Sequence, residues 1–247
     1  MTHTFIYKAS DKNDNRIILT GNEAHHVITV LRLPIGEIVR LIDGQGEAEI
    51  CEIAGISTGS VECRIIKQTI NSGEASLSLT LAVGLSQTSK FDSVIEKGTE
   101  VGVRNFVPLI TEKSKVKIDK HGTLSRKQKR WQRVCEAAAK QSGRSIIPHI
   151  CEPIPLMAYL DKINSQTTIL FHPECTPLAN ANIFRDYPGN ELTIITGPES
   201  GFSPGEIDHA VKKGFAVYSL GERILRTETA GIVISALAIY LFESAKA

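Results

Sequence analysis

Two segments near the carboxyl end of the chain hold residues whose types and spacing could do chemistry. The first, TIITGPESGFS (193–203), runs from an apolar strand into a loop with Gly197, Pro198, Gly201 and one carboxylate, Glu199. Glycines let backbone groups approach a ligand closely, and proline stiffens the turn. Such a loop could cradle a phosphate or be a plain turn. It lacks the Lys-Ser/Thr of a P-loop and the G-x-G-x-x-G of a dinucleotide fold. The second segment, SLGERILRTETAG (219–231), places Glu222, Arg223, Arg226 and Glu228 within seven residues around Ile224 and Leu225. Thr227 or Thr229 can cap the helix that follows. Arg226 and Glu228 could serve a ligand or simply pair with each other.

Both segments need a scaffold, and the sequence from residue 77 onward describes one. LSLTLAVGL, NFVPLIT, IPHI, TTILFHP, LTIIT and FAVYSLG read as strands. Between them lie helical patterns, among them SKFDSVIEKGTEVGV with Phe91, Val94, Ile95 and Val101 on one side. A long helix over about Arg126 to Gly143, a helix opened by Pro155, one near Leu178 to Arg185, one from Pro204 to Lys213 and a final one from Thr227 to Ala245 complete the pattern. The alternation predicts an α/β fold, a parallel sheet with helices on both faces. Ligands of such sheets bind beyond the carboxyl ends of the strands, where both loops sit.

The first 70 residues read differently. RIILTG, EIVRLIDGQG, EAEICEIAGI and SVECRIIKQTI are short strands punctuated by glycines, the pattern of a small β-barrel. One helix, Glu23 to Leu33, interrupts them, with Asn22 as its cap and Pro34 as its stop. His25 and His26 point in different directions on that helix, which argues against a shared metal. Asn71-Ser72-Gly73-Glu74 is polar and turn-rich and reads as a linker. The chain thus divides into a domain over 1–72 and a larger one over 73–247.

The 247 residues carry a net charge of only +1, which as a sum speaks against a nucleic-acid partner. The distribution reverses that inference. Residues 112–150 hold eleven Lys/Arg against three Asp/Glu, a local +8. Residues 1–72, 73–111 and 151–247 come to −2, −1 and −4. A stretch so basic is either a solvated helix face or a phosphate-binding surface. Trp131, the only tryptophan, lies within it and could stack on a base or pack in the core. The five cysteines are odd in number and scattered, so reduced thiols, a cytoplasmic location and no metal are expected. No secretory signal is visible, and the apolar run from Ile232 to Phe242 is short of the ~20 residues of a membrane span. No membrane partner is expected.

GPESGFS followed by LGERILRTETA closely resembles the two signature loops of the ribosomal RNA small subunit methyltransferase E family, within the SPOUT superfamily. HHVITVLRL, KFDSVIEKGTEVGV and RWQRVCEAAAKQSGR match the family in order and spacing, so the likeness covers nearly the whole chain. The resemblance implies a PUA-like barrel over 1–72 and, over 73–247, a methyltransferase domain with a deep trefoil knot. It implies a homodimer that moves a methyl group from S-adenosylmethionine to N3 of one uridine in the 16S rRNA of the small subunit. Cofactor contacts would fall on Leu170, His172, Thr196, Gly197, Pro198, Glu199, Gly201, Leu220, Gly221, Ile224, Leu225, Arg226 and Thr227. Arg226 would stabilise charge on the target base, with Glu199 or Glu228 as proton acceptor. Arg32, Lys90, Arg133, Gln141 and Arg144 would bind RNA. The same fold could instead act on another RNA or a ribose 2′-hydroxyl, or serve as a non-catalytic assembly factor. Ser200 stands where the family has a glycine, a costly exchange if that position needs positive φ.

Overall fold

A computed structural model of the chain describes residues 2–85, 88–114, 123–178 and 182–246. The chain divides into two compact units, one of residues 1–74 with 139–147, the other of 75–138 with 148–247.

In the first unit, β1 (Thr4–Ile6), β2 (Lys12–Asn13), β3 (Arg16–Thr20), β4 (Ile38–Ile42), β5 (Glu47–Ser57) and β6 (Ser60–Ile70) form one sheet in the order β1-β4-β5-β6-β3-β2. Only the β1–β4 pair is parallel. Alternation sets the faces: in β3, Ile17 and Leu19 are buried while Arg16, Ile18 and Thr20 face out. Phe5, Leu41, Ile53 and Val61 join them in one core, so the outer strands share an interior and the sheet curls around it. The hairpin between β4 and β5 is held by Asp43, whose Oδ1 accepts from the N–H groups of Gln45, Gly46 and Glu47 at 2.8–3.0 Å. Helix α1 (Gly21–His25) continues as π-helical turns over His26–Leu31 and adds Ala24 and Val27 to the core. It begins before the expected Asn22 cap, at Thr20, whose side chain makes no capping bond. It stops at Arg32, whose φ of 53° is left-handed, rather than at Pro34. His25 is exposed, whereas the ring of His26 meets Phe5 edge-on at 5.8 Å.

Glu74, expected in a linker, is a buried hub of this unit. Its carboxylate accepts from Arg144 Nη2 at 2.7 Å and from the N–H groups of Ser145 and Ile146 at 3.0 and 2.9 Å. Arg144 is 2% exposed. Its expected role at RNA phosphates is therefore corrected: the guanidinium is committed to Glu74, and Arg40 Nη1 donates to the Arg144 carbonyl at 3.2 Å.

The second unit follows the expected alternation. It comprises β7 (Ser78–Gly84), α2 (Thr88–Val101), β8 (Asn105–Ile110), α3 (Thr123–Ser142, whose last turn belongs to the first unit), β9 (His149–Ile150), β10 (Ile154–Pro155), α4 (Leu156–Leu160), β11 (Thr168–Phe171), α5 (Asn182–Arg185), β12 (Glu191–Thr196), α6 (Pro204–Lys212), β13 (Ala216–Tyr218) and α7 (Thr227–Ser244). The sheet runs β10-β8-β7-β12-β11-β13, with β9 also beside β8, and every pair is parallel. One face packs on α4 and α6 through Ala82, Leu109, Leu170 and Ile195. On the other, α7 lies against β7 and β12, flanked by α2 and α5. By length and composition α7 could cross a membrane. In this fold Ile234, Ala238, Ile239 and Phe242 are buried, which accounts for its apolar sequence.

Helix α3 is amphipathic. Trp131, Cys135 and Ala138 are buried, with Trp131 edge-on to Phe91 at 4.7 Å. The indole is thus a core side chain rather than a platform for a base. Arg126, Lys129 and Arg133 lie on the exposed face, and Arg130 pairs with Asp92. Lys115, Lys117 and Lys120 fall outside the described residues.

Removing one partner of a buried ion pair leaves the other charge stranded, at a cost of about 3–5 kcal/mol. Glu74→Ala should lower stability in urea denaturation by that order. A loss below about 1 kcal/mol, the range of an exposed pair, would show that the Glu74–Arg144 contact is dispensable.

Candidate functional site

The strand ends decide where ligand chemistry can occur. In the parallel register Phe171 of β11 stands opposite both Thr196 of β12 and Tyr218 of β13. The three strands therefore end level, and the loops beginning at His172, Gly197 and Ser219 leave the sheet side by side. Between them lies a cavity of about 270 Å³.

Each loop is fixed locally. After β11, the His172 N–H donates to the Tyr218 carbonyl at 2.8 Å, and its Nδ1 accepts from the Glu174 N–H at 3.3 Å. After β12, Pro198 to Gly201 form a turn closed by the Gly201 N–H on the Pro198 carbonyl at 2.9 Å. Gly201 carries the positive φ, 68°, whereas Ser200 has none, so the serine costs no backbone strain. Ser203 then caps α6 reciprocally with Glu206, and Pro204 takes the first helical position. After β13, Ser219 is tied to the first loop through the Thr176 carbonyl and the Leu178 N–H. Arg226, not Thr227 or Thr229, occupies the cap position of α7, and it contributes backbone only.

The expected cofactor positions His172, Thr196, Gly197, Pro198, Glu199, Gly201, Leu220, Gly221, Ile224, Leu225, Arg226 and Thr227 all line this cavity. Leu170 does not. It is fully buried in the core against α4 and α6, because alternation turns its neighbour Phe171 to the cavity instead. Glu228, one candidate proton acceptor, is also absent from the wall and lies in the first turn of α7. There a carboxylate complements the positive end of the helix dipole. Glu199 is on the wall and pairs with Lys90 from the first turn of α2, so that this lysine, expected at RNA, is held by the loop. Arg226 is exposed at the rim and has no ion-pair partner among the described residues, so pairing with Glu228 is excluded there. Of the remaining RNA candidates, Arg32, Arg133 and Gln141 are exposed.

Sequence reasoning missed Phe171, Pro173, Phe202 and Ala230 on the wall, and noted Arg223 without placing it among the cofactor contacts. It also missed Gly84 at the end of β7. A Cβ there would lie 2.3 Å from Pro198 Cδ and 2.4 Å from Pro198 N, so only glycine lets the second loop close on β7. A sole signal, the glycine ending the LTLAVG strand, is too common to single out.

The wall suits a nucleoside-sized ligand. Across Glu222 to Leu225 no backbone–backbone hydrogen bond is formed among the described residues, and Arg223, Ile224 and Leu225 of this stretch line the cavity. Ile224, 85% exposed, and Leu225 supply an apolar lip. A flat heteroaromatic ring with polar edges satisfies both. Among the described residues no cluster of His, Cys, Asp and Glu could hold a metal ion.

Comparison with known proteins gives the same direction. Residues 73–239 match the model of an RNA methyltransferase domain, and residues 19–66 that of an RNA methyltransferase PUA domain. The chain is similar to the ribosomal RNA small subunit methyltransferase E of Buchnera aphidicola subsp. Acyrthosiphon pisum, 32% identical over 92% of this chain and 89% of that protein. Its fold is similar to the crystal structure of ribosomal RNA small subunit methyltransferase E from Neisseria gonorrhoeae bound to S-adenosylmethionine, with a TM-score of 0.86, 27% identity and 98% coverage of each chain. A methyltransferase from Legionella pneumophila in complex with the same cofactor superposes with a TM-score of 0.84, 31% identity, and coverage of 99% and 98%.

Gly84→Ala should weaken binding of S-adenosylmethionine by about 5- to 150-fold in calorimetry, the equivalent of the ~1–3 kcal/mol typical of overpacking, while the melting transition persists. Unchanged affinity would show that the approach of Pro198 to β7 does not shape the cavity.

Proposed function

Because the chain belongs to the ribosomal RNA small subunit methyltransferase E family, we propose that it transfers the methyl group of S-adenosylmethionine to N3 of one uridine in 16S rRNA of the small ribosomal subunit. The observation that carries this reading is the cavity at the level ends of β11, β12 and β13, with its apolar lip and a stretch, Glu222 to Leu225, that forms no backbone–backbone hydrogen bond among the described residues.

When bound, S-adenosylmethionine supplies an electrophilic methyl group on a sulfonium. Backbone groups from Leu220 to Leu225 would hold the adenosine, and Ile224 and Leu225 would cover the purine. The protein's remaining task is the nucleophile. Uridine N3 carries a proton at neutral pH, and removing it spreads negative charge over the two flanking carbonyl oxygens. Arg226, exposed at the rim and unpaired among the described residues, can donate to such an oxygen. Glu199 is the carboxylate on the wall that can accept the proton. The exposed cations of α3, Arg126, Lys129 and Arg133, would meet RNA phosphates, and Arg32 and Gln141 would add contacts from the first unit.

The division into a PUA-like barrel over 1–72 and a knotted methyltransferase domain over 73–247 belongs to the same proposal. So does a cytoplasmic location, supported by five cysteines that form no disulfide among the described residues. A homodimer is supported by Val233, Leu237 and Tyr240, which stand exposed on one side of α7 at helical spacing.

The decisive experiment is methylation of small subunits from a strain lacking the modification, with the product located by mass spectrometry. Methyl on any atom but uridine N3 overturns the reading. Arg226→Ala should slow single-turnover methylation by about 100-fold or more, as loss of one anion-stabilising donor does. Cofactor affinity by calorimetry should stay near wild type. Equal loss of both would make Arg226 a structural residue. Leu237→Glu should yield monomers in analytical ultracentrifugation, and an unaltered sedimentation coefficient would place any dimer contact elsewhere.

A further inference from the structure

We propose that Lys113, the first cation of the basic stretch, is a positioning residue of the cofactor loop and not a ligand of RNA phosphate. This rests on the reading of the cavity as the S-adenosylmethionine site.

The residue grips the loop from both sides of Gly201. Its Nζ donates to the Phe202 carbonyl at 2.9 Å, and its own carbonyl accepts from Ser200 Oγ at 3.0 Å. The neighbouring residues extend the contact. The Glu112 N–H donates to Glu206 Oε1 at 2.8 Å, while the Oε2 of the same carboxylate takes the Ser203 N–H at 2.7 Å. Ser114 Oγ donates to the Leu85 carbonyl beyond β7 at 3.1 Å and lies 2.9 Å from Thr111 Oγ1. The short turn after β8 is thereby fastened to residues 200–206 at three points and to the end of β7 at a fourth.

What Lys113 holds is part of the cavity wall. Phe202 is buried, and its ring packs so close under Gly197 that a Cβ there would lie 3.2 Å away. The same ring stands 6.1 Å from that of His172. Displacing the Phe202 carbonyl therefore displaces the surface under two of the three loops. The ammonium makes this a charge-assisted bond, stronger than a neutral donor would. Gly201, with its φ of 68°, is a flexible point between the two grips, so the turn gains most from being held at Ser200 and Phe202. Ser200 supplies a donor that a glycine could not, which gives the serine a role of its own.

The roles of cofactor-loop support and phosphate ligand separate in two titrations. Wild type, Lys113→Met, Lys113→Arg and Ser200→Ala are each titrated with S-adenosylmethionine by calorimetry. Each is then titrated with a 16S rRNA transcript over a range of salt concentrations. Lys113→Met should weaken cofactor binding about tenfold, within the range of hydrogen bonds to charged groups, and Lys113→Arg should recover most of it. Ser200→Ala should cost about threefold, as one neutral hydrogen bond does. The slope of RNA affinity against salt should stay unchanged in all of them. Cofactor affinity within twofold of wild type in Lys113→Met overturns the proposal. So does a slope lowered by about 0.9, the signature of one lost phosphate contact. Wild-type protein that binds no S-adenosylmethionine would instead overturn the assignment of the cavity itself.

Discussion

The level ending of three parallel strands is the constraint on which the site depends. Because Phe171, Thr196 and Tyr218 share one row, the chain must leave the sheet three times at the same height. Parallel strands also require crossovers, so each return path is a helix on one face and each exit is free to become a loop. The cavity is what remains between those exits. A slip of one residue in any pair would invert the faces of that strand, sending Phe171 into the core and Leu170 into the cavity. Apolar burial on both faces of the sheet is therefore what holds the loops in place.

The basic character of the chain looks different once side chains are placed. Arg144 and Lys140 are committed to Glu74 and Glu23 within the first unit, Lys90 to Glu199, and Lys113 to the backbone of the loop after β12. Arg130 is paired with Asp92. The exposed face of α3 keeps Arg126, Lys129 and Arg133. A local charge excess seen in sequence is thus spent partly on architecture, and the fraction left for phosphate is smaller than a count suggests. Charges that a sum treats as equal differ by what surrounds them, since a buried guanidinium must be paired whereas a solvated one need not be.

Legibility followed periodicity and turn chemistry. The strands and helices of the second unit stood out because apolar runs alternate with amphipathic ones, and Pro204 marks the first turn of α6. The loops around Gly197 and Gly221 stood out because glycines and clustered charges follow an apolar strand, although each alone could be a plain turn or an ion pair. The short strands β1 and β2 were not visible, since three residues or fewer carry no period. Leu170 was misplaced by one step of alternation. Glu74 read as a linker because a glutamate in a polar turn looks the same whether or not an arginine 70 residues later closes over it.

By itself, then, the sequence determined the α/β class, the strands and the two glycine-bearing loops that end them, because each depends on neighbours within a few residues. The tertiary structure alone decided that Gly84 must lack a side chain, that Arg144 is a buried partner of Glu74, and that Lys113 holds Phe202. Each of those joins groups between 70 and 114 residues apart. No local propensity encodes such contacts. They exist because packing within each unit brings distant backbone to within bonding distance, and only then do charge and excluded volume select the residue.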